Sequence, residues 1–150
     1  MNEYGLSEIR LKNVAYQSYI DIPISQIEDY LVKFVEACRE EDAQIDNKLI
    51  MAITQLTLDR HINVTFYAAI NRAILPTPEL NFRSYLVIED MIQGRMRSKQ
   101  FELEEQQLID DFNDFCKEYD YQIVSPYYHI FQIEKNDAWI DVKAKVMELD

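Results

Sequence analysis

The chain has 150 residues, of which 48% are hydrophobic, and it carries a formal net charge of −12. This length and composition predict one compact domain, residues 1–150, with a single core. So large a negative charge disfavours direct binding to nucleic acid or to an anionic membrane and favours a basic protein partner, although high charge also keeps a protein soluble.

Neither a signal peptide nor a membrane span is predicted, because no apolar stretch approaches about 18 residues. Cys38 and Cys116 both fall inside helical patterns and are expected to be buried, reduced thiols, which suits a cytoplasmic protein. Two histidines and no Cys-x-x-Cys motif predict no metal site, and no cofactor is expected. Two glycines in all leave no phosphate loop or nucleophile elbow, so no catalytic residues and no enzyme activity are predicted.

The first half of the chain predicts a strand, a helix and two further strands. Apolar residues from Ile9 to Tyr19 indicate a strand that ends near Asp21. The segment ISQIEDYLVKFVEACREED has apolar residues at helical spacing, with Ser25 as a candidate N-cap. The segments KLIMAITQLTLD and HINVTFYAAI then predict two strands.

A connection containing two prolines, ILPTPEL, separates the halves. FRSYLVIED predicts a short additional strand, and MIQGRMRSKQF predicts the first strand of the second half, in which Gly94 marks a bulge or bend. A helix, ELEEQQLIDDFNDFCKEYD, and two strands, YYHIFQIEK and AWIDVKAKVMEL, complete the second half.

The two halves repeat one another. CREEDAQI from Cys38 and CKEYDYQI from Cys116 align without a gap at an offset of 78 residues (116 minus 38), and HINV falls on WIDV at the same offset. We therefore predict an α+β fold of two β-α-β-β repeats, about residues 8–70 and 82–149, joined by a connection at about 71–81. The repeats are expected to form one antiparallel sheet with both helices on one face and pseudo-twofold symmetry.

This order of elements resembles the GyrI-like family of effector-binding domains. Family members carry a Pro, aromatic residues and then a Glu after the second helix, and here the segment is SPYYHIF, with His129 in the place of the Glu. The resemblance implies a ligand cleft, but a histidine cannot reproduce the attraction of a carboxylate for a cation, which argues against cationic ligands and hydrolysis. No helix-turn-helix pattern precedes the domain, so a stand-alone protein is expected.

Three groups of residues are candidates for binding. An aromatic group would line a cleft between the halves or fill the core: Tyr16, Tyr19, Phe66, Tyr127, His129, Phe131 and Trp139. An acidic group on the second helix would face a basic partner or simply water: Glu104, Glu105, Asp110, Asp111 and Asp114. Alternate residues of RMRSK would meet an anionic group or discourage edge pairing: Arg95, Arg97 and Lys99.

The leading functional hypothesis is a non-catalytic cytoplasmic protein that recognises a basic protein partner. In size and charge the chain is similar to chaperones, targeting factors and immunity proteins that accompany LXG type VII secretion toxins. The second hypothesis is a small-molecule binder of the GyrI-like kind that takes a small apolar ligand. The third is a gyrase-inhibitor-like protein that acts on a nucleic-acid enzyme without contacting DNA. The sequence also leaves open a homodimer formed through exposed strand edges.

Overall fold

The structure is a computed structural model that describes residues 6–97, 100–134 and 137–149; of residues 101, 102, 133 and 134 it describes the backbone alone. The chain divides into two compact units, Arg10–Leu86 and Val87–Asp150, and Met1–Ile9 belongs with the second. Each unit consists of antiparallel strands and one α-helix. The predicted α+β class is therefore confirmed.

The first unit runs strand, helix, strand, strand. Its elements are β1 (Ser7–Pro23, entering the unit at Arg10), α1 (Ile27–Glu40), β2 (Ile45–Leu56) and β3 (His61–Ile70). β3 lies between β1 and β2 and is antiparallel to both, since Ala68 pairs with Ala15 and Leu49. Ser25 lies in a short 3₁₀ turn ahead of α1, and the helix has no side-chain N-cap, so the predicted capping role is wrong.

The core of the first unit lies between α1 and one face of its strands. Alternate residues of a strand point to the same face, so the even-numbered residues of β3 from Ile62 to Ile70 all pack against α1, and all are buried. Phe34 of α1 is fully buried and stacks on Phe66, with 5.7 Å between the ring centroids. Cys38, one turn later, is 1% exposed in the same core.

The second unit has one strand more. Its elements are β4 (Asn81–Met96, entering the unit at Val87), α2 (Phe101–Tyr119), β5 (Tyr121–Ile123), β6 (Tyr127–Glu134) and β7 (Asp137–Glu148). β7 lies between β4 and β6, because Val142 pairs with both Gly94 and His129. β5 pairs with the end of β7 and was not predicted, being only three residues long.

The prediction of two strands before α2 is wrong, because β4 runs without a break from Asn81 to Met96. The acidic pair at Glu89 and Asp90 looks like a turn in the sequence. Asp90 instead takes a positive φ of 58° within the strand, a conformation that Asp tolerates better than most residues. The strand therefore absorbs the irregularity and continues.

Gly94 allows α2 to approach β4 closely, whereas the sequence predicted that this glycine marks a bulge or bend. A Cβ atom at this position would lie 2.1 Å from Cδ2 of Leu108, far inside an ordinary carbon–carbon contact of about 3.5 Å. The missing side chain lets the helix rest on the strand at this point.

The constant 78-residue offset is wrong for the last strand. Met51 pairs with Phe66, whereas His129, 78 positions after Met51, pairs with Val142, which lies 76 positions after Phe66. Residues 57–60 join β2 to β3, but only residues 135–136 join β6 to β7, and this difference of two accounts for the shift. The duplicated repeat, the continuous sheet and the pseudo-twofold symmetry stay predictions.

Candidate ligand site beside helix α2

Helix α2 has one apolar face and one acidic face. The apolar residues Leu108, Phe112, Phe115 and Cys116 recur at helical spacing and pack on the core of the second unit. Asp110, Asp111 and Asp114 fall on the remaining surface of the helix and are exposed. The burial of Phe112 therefore fixes the rotation of α2 and directs the carboxylates of these three aspartates to the solvent.

A hydrogen bond joins α2 to β6. Nε2 of His129 lies 2.8 Å from Oε1 of Glu105, and the His129 side chain is 7% exposed. The bond to His129 lowers the pKa of Glu105 despite the opposing effect of its burial, so the carboxylate is ionised and the imidazole N–H donates to it. Nδ1 of His129 is buried and has no hydrogen-bond partner among the described residues.

This bond brings together two residues that sequence reasoning assigned to different groups. The sequence placed His129 in an aromatic cleft and Glu105 on an acidic surface, and they are 24 residues apart. Their pairing also places a carboxylate next to the position where the GyrI-like pattern has its Glu. The carboxylate comes from the helix instead of the strand.

A cleft of about 690 Å³ opens along α2 on its β4 side. Polar and apolar surface contribute about equally to its walls, and the apolar residues and the glycine come from β4, from α2 and from the start of the chain: Leu6, Met91, Ile92, Gly94, Leu108, Phe112 and Phe115. Because Gly94 has no side chain and Leu108 covers it, the floor of the cleft is formed where helix and strand touch. None of these residues was predicted as a ligand contact.

Three polar side chains complete the lining of the cleft. Asp111 of α2 is exposed, and Ser7 Oγ donates a hydrogen bond of 3.0 Å to Oε1 of Gln93. The Asp111 carboxylate gives the cleft a negative charge beside apolar walls. Such a combination suits a ligand that has an apolar body and a positive charge or hydrogen-bond donor.

The predicted aromatic residues of the first unit lie on two faces of its sheet. Phe66 is fully buried in the α1 core, which is the core-filling alternative that the sequence left open. Tyr19 packs on the same side, 5.1 Å from the ring of Tyr30. Tyr16 is paired with Tyr67 on the opposite face, and their rings stack at 5.9 Å.

The predicted residues of the second unit are also divided. Tyr127, His129 and Phe131 share the α2 face of β6 by strand alternation, and Tyr127 stacks on Phe112 of α2 at 6.1 Å. Trp139 lies on the opposite face, since Val142 of the same strand faces α2. The proposal that all seven aromatic residues line a common cleft stays a prediction.

The predicted acidic group has two parts. Asp110, Asp111 and Asp114 are exposed, whereas Glu104 and Glu105 are half-buried, and Glu105 is bonded to β6. Only the three aspartates are therefore placed to meet a partner without disturbing the packing of α2.

Two further searches of the described residues give negative findings. No helix there is long and apolar enough to cross a membrane. No group of three or more His, Cys, Asp or Glu side chains in the described ranges is arranged to hold a metal ion.

Comparison with known proteins identifies the fold and the family. No curated protein sequence matches the chain. The crystal structure of the EcmrR C-terminal domain matches with a TM-score of 0.66 at 9% identity, covering 97% of each chain. A cryo-electron-microscopy structure of an EcmrR–DNA complex matches with a TM-score of 0.71 at 8% identity, and the match covers 97% of this chain but 57% of that one.

The EcmrR C-terminal domain has a GyrI-like fold, so the fold expected from the sequence is confirmed at this level. The resemblance to chaperones of LXG toxins stays a prediction. A family model described as a domain of unknown function, DUF5085, matches residues 10–148. The chain therefore belongs to the DUF5085 family.

Proposed function

We propose that the chain is a non-catalytic binding domain that takes a small molecule with both apolar groups and a positive charge in the cleft beside α2. The cleft itself carries this proposal, because its volume of about 690 Å³, lined by apolar side chains together with Ser7, Gln93 and Asp111, lies within the range of small-ligand sites, roughly 300–1,000 Å³. The similarity in fold to the C-terminal domain of EcmrR, a GyrI-like effector-binding domain, supports a binding role over a catalytic one.

The charge of the ligand is argued from two carboxylates and from the whole chain. Asp111 lines the cleft, and Glu105 lies on the same helix with its ionised carboxylate held by His129. The net charge of −12 attracts cations from a distance and raises their association rate. The sequence argument against cationic ligands rested on His129 replacing a Glu; Glu105 places a carboxylate beside His129, although Asp111 is the only carboxylate among the described residues that line the cleft.

His129 has a second role in this proposal. Its buried Nδ1 has no partner among the described residues, and an unpaired buried polar atom is costly. His129, Tyr127 and Phe131 belong to β6 and do not line the cleft, so this atom could be satisfied only by a ligand that extends beyond the cleft to β6. The other predicted cleft residues, Tyr16, Tyr19, Phe66 and Trp139, are not needed for this site.

A matched pair of probes tests the charge requirement. Tetraphenylphosphonium and tetraphenylborate have nearly the same shape and opposite charges. We expect the cation to raise the melting temperature in a concentration-dependent manner, as ligand linkage requires, and the anion to have no such effect. Equal stabilisation by both ions would contradict the role of Asp111, and no stabilisation by either would contradict the small-molecule function.

Two variants locate the binding. Asp111→Asn keeps the side-chain shape and removes the charge, and it should weaken binding of the cation about two- to fivefold, the range for a solvent-exposed ion pair. Asp110→Asn is the matched control, because it makes the same change one residue away on an exposed side chain that does not line the cleft. Ser7→Phe should fill the mouth of the cleft and abolish binding. Equal affinities of all three variants would place the site elsewhere.

A second candidate function is recognition of a basic protein by the acidic surface of α2. It is favoured by the exposure of Asp110 and Asp114 and by the net charge. In this form the chain would act as a cytoplasmic chaperone, targeting factor or immunity protein beside a secreted toxin. Asp110→Lys with Asp114→Lys should then reduce recovery of the partner in a pull-down, while the same reversal at Glu40 and Glu41 of the first unit should not. Undiminished recovery would eliminate this surface.

We also propose that the two units are copies of one β-α-β-β unit. Phe34 and Phe112, 78 residues apart, are both buried on the apolar face of their helix. Phe66 and Val142, 76 residues apart, are both buried strand residues facing that helix. An experimental structure in which the two units fail to superpose with these residues in register would contradict the duplication.

A further inference from the structure

Two arginines of the second unit stack on the single tryptophan of the chain. The guanidinium carbons of Arg95 and Arg97 lie 5.0 Å and 5.4 Å from the centroid of the Trp139 ring, both within the range of a cation–π contact. These residues lie on the face of the strands opposite α2, because Val142 and Ile92 face the helix and side chains alternate. We call Arg95, Arg97 and Trp139 the arginine–tryptophan cluster.

Hydrogen bonds to the buried carboxylate of Asp141 hold Arg95 in place. Its Nε donates to Oδ1 of Asp141 at 2.7 Å and its second nitrogen to Oδ2 at 3.4 Å, and the Asp141 side chain is 5% exposed. Gln132 Nε2 donates to the same carboxylate at 3.3 Å. The hydrogen bond to Asp141 and the charge of that carboxylate raise the pKa of Arg95. Arg95 is therefore a fixed, permanently charged side chain that still reaches the solvent.

Arg97 is held much less firmly. Its partner is Asp137, at 3.2 Å, and the two side chains are 58% and 64% exposed. An exposed ion pair of this kind contributes little to stability and exchanges readily. An incoming anion can therefore displace the Asp137 carboxylate from the guanidinium, which offers five donors in a planar fork.

Trp139 supplies an independent indication of a ligand. Its indole nitrogen is buried, and among the described residues it has no hydrogen-bond partner, although a buried indole N–H usually finds an acceptor. An oxygen atom bound to Arg97 would lie beside this ring and could accept the indole hydrogen once the guanidinium shifts.

We propose that the arginine–tryptophan cluster binds a small molecule through a carboxylate or phosphate group. Arg97 would bind the oxyanion directly, Trp139 would donate its indole hydrogen, and Arg95 would supply a second positive charge fixed by Asp141. Lys143 lies on the same face of β7 by alternation and adds to the local positive charge, although its ammonium group donates to the carbonyl of Glu8. A strongly acidic chain thus concentrates cations at one place, and this site shares no residue with the cleft beside α2.

The single tryptophan makes this site directly measurable. We would titrate the intact protein with inorganic phosphate and with citrate at low ionic strength and follow the tryptophan emission, with sodium chloride at matched ionic strength as the reference. A saturable change with phosphate or citrate, absent with chloride, is the expected result. A hexa-aspartate peptide forms a further arm. Saturation by the peptide alone would overturn the small-molecule proposal in favour of a protein segment, and no saturation by any anion would overturn it altogether.

Three variants separate binding from a structural role. Arg97→Ala should weaken anion binding by at least about tenfold, because a charge-assisted hydrogen bond is lost, and Arg97→Lys should recover part of it. Asp137→Asn should tighten binding about two- to threefold, since it removes the competing carboxylate; a purely structural pair would show no such gain. Arg83→Ala, an exposed arginine of the first unit, is the control and should leave the titration unchanged. Unaltered affinity in Arg97→Ala would overturn the assignment.

Discussion

Replacing Gly94 by Ala should push α2 away from β4. The added Cβ atom would lie 2.1 Å from Cδ2 of Leu108 and 3.2 Å from its Cγ. Since carbon atoms pack at about 3.5–4.0 Å, the end of the leucine must retreat by about 1.5 Å while its Cγ moves by a few tenths. Overpacking that a flexible side chain can partly relieve costs about 1–3 kcal/mol. For a chain of this length this corresponds to a melting temperature lower by about 2–10 °C.

A double-mutant cycle tests the cause. Leu108→Ala alone should cost about 1–3 kcal/mol, because the side chain is only half-buried. In that background Gly94→Ala should cost almost nothing, since the clashing methyl group is gone, which gives a coupling of about 1–3 kcal/mol between the two sites. Urea unfolding of the four proteins measures each value. A Gly94→Ala cost that is the same in both backgrounds would refute the contact, and a cost below about 0.5 kcal/mol would refute the close approach of helix and strand.

Glu105→Gln should destabilise the fold by about 1 kcal/mol at neutral pH, because the partly exposed carboxylate loses its charge-assisted bond from His129. The bond lowers the pKa of Glu105, so its stabilising effect is complete above the unfolded pKa of about 4.3 and is lost as the pH falls through the folded pKa; urea melts that differ equally at neutral pH and near about pH 3 would contradict this. Asp141→Ala should cost about 2–3 kcal/mol, since it removes the buried acceptor of three hydrogen bonds, and a change in urea midpoint too small to measure would count against the network. Burial raises the pKa of Cys38 to about 11, whereas Cys116 is less buried. Cys116 should therefore react first with a disulfide reagent at mildly alkaline pH. Equal reaction rates of the two thiols would contradict the packing of α1.

The second helix could be predicted from the sequence almost to the residue, whereas the first was predicted over residues 24–42 and α1 spans only Ile27–Glu40. The pattern placed the second helix at ELEEQQLIDDFNDFCKEYD, and α2 spans Phe101–Tyr119. This succeeds because a helix that buries one face must repeat its apolar residues every three to four positions, as Leu108, Phe112 and Phe115 do. The strands were located but not delimited, since Asp90 carries β4 through a point at which composition alone indicates a turn.

The candidate sites could not be predicted, because each depends on contacts between distant residues. His129 and Glu105 meet only after α2 has been laid across β6, and neither residue has a local signal for the other. The cleft needs Leu6 from the beginning of the chain and Phe115 from its last third. Only part of the arginine–tryptophan cluster could be predicted from the sequence. Strand alternation placed Arg95 and Arg97 on one face, but the tryptophan ring that both contact comes from β7. Lys99, the third member of the predicted group, lies outside the described residues.

The first residues of the chain belong with the second unit, and Leu6 and Ser7 line its cleft. The described part of the chain therefore begins at a residue of the cleft lining. A purification tag at the amino terminus is joined to the chain ahead of Leu6, within reach of the cleft, and would compete with test compounds during screening. The same handle at the carboxyl terminus would follow Leu149, which does not line the cleft, and it is the better choice for every titration described above.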